Sequence, residues 1–301
     1  MSYKCRTERI THYRAILKEG GFEKGDVESI VDNWYDINGN IYKSVENCID
    51  LYYIREYTLY DEQGRIASII RKNDKGDFEN STIFFRYDEA GHITKKLFYY
   101  NDGQMLDEDE TEEEEAIRGN DNLKLEGWEE YQYNADFSSA TVLMFELDEP
   151  PQLVFKRIES YDSDGELVES VTHYCGDSNR SRHIYVSKDE TGNKTVTTEG
   201  VTVKNNWPTA ENLEYENFKG RKFYNSNGEL YQDIYYAEGL ETEYREYRYE
   251  YDGQGRISRV LGFDRKKIVS IEEREYDLNL DDGPEEKCDS STNLAKMKSQ
   301  R

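Results

Sequence analysis

The chain has 301 residues and a formal charge of −25 at pH 7, from 64 acidic and 39 basic side chains. This charge argues against nucleic acids and anionic membranes as partners, because phosphate contacts need Lys and Arg. Apolar residues make up only 36% of the chain, but aromatic residues reach 13%. So many aromatic rings exclude a disordered chain and indicate a folded protein whose Tyr-rich surfaces touch water.

The first 30 residues follow a pattern of their own. Apolar side chains at Ile10, Tyr13, Ile16 and Leu17 recur at helical spacing, and Gly20-Gly21 follows them. The pattern predicts a short helix that ends at the glycines. We interpret residues 1–30 as a helical cap on the first edge of a sheet, since an open sheet needs its edge covered.

One phrase recurs along the chain at intervals of about 27 residues. It consists of an aromatic residue, Asp or Asn, two variable residues, Gly, one polar residue, and Ile or Leu. A degenerate copy begins at Lys188, and Tyr133-Asn134 is a decayed one. The clear copies begin at Tyr35, Tyr60, Tyr87, Tyr161, Tyr224 and Tyr251.

Each phrase predicts a hairpin turn. Asp or Asn can accept hydrogen bonds from backbone N–H groups ahead of it, and Gly supplies the positive φ that closes the turn. Tyr247, Tyr249 and Tyr251 alternate with charged residues, as expected of a strand. We therefore predict a mainly β protein over residues 31–280. Its fold is an antiparallel meander of hairpin repeats that is open, curled or half-closed.

The acidic run at 107–115, inside an insert at 106–118, breaks the repeat. Such a run predicts a loop, because like charges repel each other. It is either a solvated insertion or an arm for a basic partner. The polar residues 281–301 predict a loose tail. The run's candidate partner-binding residues are Asp107, Glu108, Asp109, Glu110, Glu112, Glu113, Glu114 and Glu115.

Four tyrosines are further candidates for partner binding: Tyr235, Tyr244, Tyr247 and Tyr249. A Tyr-rich sheet face is a good surface for binding a protein, since Tyr supplies contact area at a small entropy cost. The same rows could instead be cross-strand ladders that belong to the sheet.

The phrases Tyr60-Asp61-Glu62-Gln63-Gly64-Arg65-Ile66 and Tyr251-Asp252-Gly253-Gln254-Gly255-Arg256-Ile257 resemble the YD-repeat (Rhs-repeat) family. The likeness covers about residues 34–280. Long members of that family wind a β-sheet into a shell around a toxin formed by their own C-terminal part. This chain has too few copies for a large shell, and no Pro-rich self-cleavage segment or toxin domain follows its repeats. Short hairpin-repeat proteins also occur as neutralising partners in toxin–immunity systems, so the resemblance implies an immunity protein.

No catalytic or metal-binding motif is evident. The four histidines lie on unrelated segments, and the four cysteines are far apart without a CxxC pair. His173 and Cys175 could face one side of a strand, but nothing else supports a nucleophile there. We therefore predict no enzyme activity, cofactor or metal. The chain shows no signal-peptide core, which predicts a cytoplasmic location with reduced thiols.

The leading hypothesis is an immunity-type protein that neutralises a bacterial toxin domain, or another basic protein, by direct contact. The first alternative is a structural or scaffolding β-repeat protein, which could form a homo-oligomer through an open sheet edge. A weaker alternative is an acid/base hydrolase in a sheet groove, since carboxylates are abundant.

Overall fold

A computed structural model describes residues 6–19, 21–48, 52–75, 80–101, 123–177, 179–203 and 215–278. These ranges contain β-strands and no helix. The predicted insert at 106–118 and tail at 281–301 lie outside them. The strands are β1 (Arg6–Lys18), β2 (Gly21–Tyr35), β3 (Ile41–Cys48), β4 (Tyr52–Tyr60), β5 (Ile66–Lys75), β6 (Asn80–Tyr87), β7 (Ile93–Asn101), β8 (Leu123–Tyr133), β9 (Ser139–Glu146), β10 (Gln152–Tyr161), β11 (Leu167–Tyr174), β12 (Ser181–Lys188), β13 (Lys194–Val203), β14 (Tyr215–Tyr224), β15 (Leu230–Ala237), β16 (Leu240–Tyr251), β17 (Ile257–Asp264) and β18 (Lys267–Tyr276).

The 18 strands form one sheet, and this sheet is closed. Strands that follow each other in the chain pair with each other, and β1 also pairs with β18, which is the connectivity of a β-barrel. At this junction the Asp277 N–H donates to the Thr7 carbonyl at 2.8 Å. The Thr7 hydroxyl donates to the Leu278 carbonyl at 2.6 Å. The predicted open or half-closed meander is therefore wrong. Closure gives the first and last strands a partner, so no described strand is left as an edge.

The predicted N-terminal helix is also wrong, because residues 6–35 form a long hairpin of β1 and β2. The register of this hairpin shifts after His12 and again between Tyr13 and Ala15. Such irregularities interrupt the two-residue alternation of a strand, so apolar residues three apart do not require a helix. Pairing with β2 and β18 overrides the helical spacing on which the prediction depended.

The hairpin turns predicted at the YD phrases are confirmed. In the copy at Tyr60, the Asp61 carboxylate accepts hydrogen bonds from the N–H groups of Gln63 and Arg65, each at 2.9 Å. Gly64 has φ +77°, which only Gly adopts without strain. The degenerate copy at Asp189 has the same hydrogen bonds, so the turn does not need the aromatic residue.

Tyrosine hydroxyls tie consecutive repeats together. Tyr60 donates to the Ile41 carbonyl at 2.9 Å, and Tyr87 donates to the Ile66 carbonyl at 2.8 Å. The acceptor is in each case the last residue of the preceding phrase. Tyr276 makes the same bond, at 2.8 Å, to the Ile257 carbonyl. A further YD pair at Tyr276-Asp277 thus acts as a repeat, although the sequence search missed it for lack of the following Gly.

Replacement of Asp61 tests the turn chemistry. Asp61→Ala removes the acceptor of two backbone N–H bonds and of the Arg65 Nε bond at 2.8 Å. We expect it to lower the free energy of unfolding by about 1–2 kcal/mol, measured by denaturant unfolding. Asp61→Asn is the matched control, because Asn225 accepts the same two N–H bonds in its own turn. Equal losses in the two variants would show that the turn bonds do not matter.

The described chain divides into two compact units. Within each unit the YD turns connect alternate pairs of strands, so they lie at the same end of the strands. Unit 1 comprises residues 1–127, 250–259 and 271–301, and unit 2 comprises 128–249 and 260–270. Unit 1 buries Trp34, Val45, Ile70 and Ile271. Unit 2 buries Ala140, Val142, Val260, Leu261 and Ile268. Within the described residues, each unit thus buries only a few apolar side chains completely.

Candidate binding site

The structure divides the tyrosines predicted to bind a partner between two faces of the sheet. The acidic run at 107–115 lies outside the described residues. The four tyrosines all lie on β15 and β16 of unit 2. Tyr235 lies opposite Glu243, and Tyr247 lies four residues further along β16 on the same face. Tyr244 points to the other face. Tyr249 belongs to the repeat, since its hydroxyl donates to the Leu230 carbonyl at 2.7 Å.

Tyr235 lines a cavity of about 520 Å³ that is formed within unit 2 by β11–β16 and the turn before β12. This volume lies in the range of small-molecule sites. The cavity has aromatic walls from Tyr174, Phe218 and Tyr235. The Phe218 and Tyr235 rings are stacked, with centroids 6.2 Å apart and planes 15° from parallel.

The residues that line this cavity have a net positive charge, whereas the whole chain is negatively charged. Two carboxylates line it, Asp233 and Glu243. Four cationic side chains also line it: Arg180, Arg182, Lys222 and Arg245. Lys222 already forms an ion pair, because its Nζ lies 3.3 Å from the Asp233 carboxylate. A cationic cavity in a chain with a charge of −25 indicates a site for a negatively charged group.

The two arginines near the start of β12 differ from most basic residues of this chain. Arg182 lies opposite Thr172 on one side and Gly200 on the other, so no carboxylate faces it across the strands. The Arg180 guanidinium stacks over the Tyr174 ring at 4.3 Å. Its Nε is buried and has no hydrogen-bond partner among the described residues. Neither arginine makes an ion pair within the described part of the chain.

A second cavity, of about 640 Å³, opens on the opposite face of β12–β14. Its charges are largely paired. Lys219 Nζ lies 2.8 Å from the Glu199 carboxylate, and His183 Nε2 lies 2.9 Å from that of Glu169, a neighbour of this cavity. The hydrogen bond from Lys219 is the largest cause of the lowered pKa of Glu199. Because its polar groups already bind one another, this cavity is the weaker candidate.

The first cavity, which we call the arginine cavity because Arg180, Arg182 and Arg245 line it, was not predicted from the sequence. Its residues are spread over six strands and a turn, and most of those on one strand lie two positions apart, like any side chains that share a face. Only strand order and register bring Arg182, Lys222 and Arg245 into one cavity. The available signal was a glycine inside a strand sequence, Gly220, since Gly in a strand can mark the close approach of a ligand.

A buried charge network lies elsewhere in unit 2. Arg157 Nη1 is 3.2 Å from the Glu129 carboxylate, and its Nε is 2.6 Å from that of Glu159. The Tyr131 hydroxyl donates to Glu129 at 2.6 Å, and the Tyr161 hydroxyl donates to Glu159. Burial and these adjacent carboxylates raise the pKa of both tyrosines far above the ordinary value. Because its members satisfy one another, the network is structural.

These raised pKa values predict loss of stability at alkaline pH. An unfolded Tyr titrates at about pH 10, so the unfolded chain loses its phenolic protons before Tyr131 and Tyr161 do. The stabilisation is therefore complete below about pH 10 and declines as pH rises toward the folded values. As pH rises, phenolate absorbance, which follows the ionisation of these tyrosines, and circular dichroism, which follows unfolding, should change over the same pH range. Tyr131→Phe should make the decline shallower, whereas the matched variant at exposed Tyr231, Tyr231→Phe, should not. Similar slopes in both variants would contradict this role.

No model of a protein family matches this chain, and a search of curated proteins finds no match. Several solved structures are similar. A porin-like protein from Bacteroides uniformis has 10% identity and a TM-score of 0.39, over 89% of this chain and 96% of that one. A porin-like protein from Bacteroides vulgatus has 10% identity and a TM-score of 0.29, over 90% and 98%. A structure of TcdB2-TccC3 with Cdc42 has 8% identity and a TM-score of 0.22, over 82% of this chain and 21% of that one.

The predicted cytoplasmic location is not supported by these comparisons and is withdrawn. Because every one of these TM-scores is below 0.5, the likenesses establish no location or activity for this chain. Among the described residues, no helix is long and apolar enough to cross a membrane.

Proposed function

We propose that this is an immunity-type protein that neutralises a basic bacterial toxin domain by direct contact. The observation that carries the proposal is the open aromatic face of β15 and β16. Tyr235 and Tyr247 share this face, and the exposed Glu243 lies directly opposite Tyr235 on the neighbouring strand. Half-buried tyrosines on one face suit contact with the surface of a partner protein.

The YD turns add support. The turns keep one hydrogen-bond pattern, which is consistent with the resemblance to a family associated with toxins. The net charge of −25 favours a basic partner and fast association steered by charge. A complex of this kind weakens as salt rises, since screening reduces the attraction between exposed charges.

The alternatives receive less support. The hydrolase hypothesis needs two facing carboxylates that are free to act, but in the cavity Asp233 is paired with Lys222. A homo-oligomer through a sheet edge needs an unpaired strand, and each described strand has two neighbours. A scaffolding protein with another partner is the alternative that the test must separate from immunity.

The test uses the protein expressed together with the product of the neighbouring gene. Immunity predicts that the neighbour alone stops growth, that this chain restores growth, and that the two proteins elute as a stoichiometric complex. The double variant Tyr247→Ala/Glu243→Arg should abolish rescue. Tyr244→Ala, on the opposite face of the same strand, is the matched control and should leave rescue intact. A neighbour that is harmless, or a complex that forms without loss of toxicity, would exclude the immunity function and leave the scaffold.

A further inference from the structure

The cavity of unit 2 carries an inference that does not depend on a protein partner. Its anchor is Arg182, whose cross-strand neighbours are Thr172 and Gly200. Arg180 belongs to the same end of the cavity, because it precedes Arg182 by two residues. Arginine guanidinium groups bind phosphate and carboxylate oxygens through paired hydrogen bonds. Two arginines without carboxylate partners therefore provide an anion site.

The Arg180 side chain is held in place before any ligand arrives. It stacks on the Tyr174 ring at 4.3 Å, and its backbone N–H donates to the Asp177 carbonyl at 3.1 Å. Its buried Nε lacks a hydrogen-bond partner among the described residues. A buried donor without a partner is unfavourable, and a bound anion can satisfy it.

Gly220 lies in the floor of the cavity beside the Tyr235 ring. It lies in the middle of β14, opposite Thr198 and Tyr235. A Cβ added there would meet only the Tyr235 ring at 3.7 Å and the Thr198 carbonyl at 3.9 Å, which are ordinary contacts. The fold thus has no steric need for glycine at this position. At Gly200, by contrast, a Cβ would lie 2.0 Å from the Ser181 carbonyl, so the strand itself requires glycine.

The floor at Gly220 is in contact with the Tyr235 ring, which stacks with the Phe218 ring. A flat ring can approach the backbone at a strand glycine and pack against aromatic walls. The cavity volume of about 520 Å³ is ample for one ring with a charged substituent.

We infer that this cavity binds a small anionic ligand, in which a phosphate or carboxylate is attached to a planar ring. Arg180 and Arg182 hold the anionic group. Phe218, Tyr235 and the floor at Gly220 hold the ring. Both sources of the anion, a nucleotide phosphate and an aromatic carboxylate, share this chemistry, and separate probes distinguish them.

The experiment is calorimetric titration of the isolated full-length protein with adenosine monophosphate, benzoate, adenosine and inorganic phosphate. We expect one of the two ring-bearing anions to bind at least about tenfold more tightly than both adenosine and inorganic phosphate, because each of these lacks one half of the recognised structure. The net charge of −25 repels anions in general, so binding requires a local site.

Two variants test where in the cavity the ligand binds. Arg182→Gln should weaken binding about tenfold or more, through loss of a charged hydrogen bond. Gly220→Ala should weaken it while the protein keeps its wild-type melting behaviour. Arg221→Gln, on the opposite face of β14, is the matched control and should not change affinity. Failure of both ring-bearing anions to bind would overturn the inference. Binding that survives Arg182→Gln and Gly220→Ala but weakens in Arg221→Gln would also overturn it. No toxin is present, so neither result bears on immunity.

Discussion

Arg157→Met should lower the free energy of unfolding by about 3–5 kcal/mol. The guanidinium bridges Glu129 and Glu159, whose side chains are only 9% and 13% exposed. Without Arg157, two buried carboxylates keep their Tyr partners but lose the positive charge that offsets their desolvation. Denaturant unfolding with matching fluorescence and circular dichroism transitions measures the change.

Arg259 in unit 1 provides the matched control. It also bridges two carboxylates, Glu250 and Glu273, but it is 38% exposed and Glu250 is 49% exposed. Because solvent screens such pairs, Arg259→Met should cost about 1 kcal/mol or less. The combined variant Glu129→Leu/Arg157→Met/Glu159→Gln should recover part of the stability lost in Arg157→Met, since no uncompensated charge stays buried. Equal costs at Arg157 and Arg259 would refute a special role for burial.

Removal of residues 1–20 should convert the protein from a monomer into aggregates. This deletion takes away β1, so β2 and β18 each lose one hydrogen-bonded neighbour. Arg274 also loses its ion pair with Glu8, at 3.3 Å. Two long unpaired edges are a template for association with other chains. Size-exclusion chromatography with light scattering should show most of the material leaving the monomer peak.

A peptide of residues 1–20, added during refolding, tests whether pairing is the cause. It should restore the monomer, because it can occupy the gap between β2 and β18. The same peptide with Ile10→Pro should not, since Pro cannot donate in the middle of a paired strand. A truncated chain that stays monomeric and as stable as the full chain would show that β1 does not close the sheet.

Local chemistry explains why the turns could be predicted. Asp61 and Gly64 act within one stretch of five residues, through bonds from Asp61 to Gln63 and Arg65. No other part of the chain takes part in these bonds, so the phrase alone is enough. The same holds at Asp189, where the phrase is degenerate but its Asp and Gly remain.

The N-terminal region could not be predicted in this way. The apolar residues from Ile10 to Leu17 fit a helix as well as an irregular strand, and β-bulges erase the difference in spacing. The choice is made by pairing with β2 and with β18, and β18 lies more than two hundred residues away. A partner so distant in the chain leaves no mark on the local pattern.

The candidate site was predicted only in part. Tyr235 and Tyr247 were selected as exposed aromatic residues, and the structure places both on one face of β15 and β16. Tyr244 and Tyr249 were selected for the same reason, but one faces the other side and the other is bonded to the Leu230 carbonyl. The cationic cavity went unnoticed because an overall charge of −25 hides a few arginines gathered by strand register.

By itself, the sequence determined the strands of the repeat region, the YD turns and the acidic character of the surface, since each depends on neighbouring residues or on composition. The tertiary structure decided the closure of the sheet, the strand conformation of residues 6–18 and the assembly of the arginine cavity. These three depend on which strands become neighbours and in what register, and a one-residue shift would send every side chain of a strand to the opposite face.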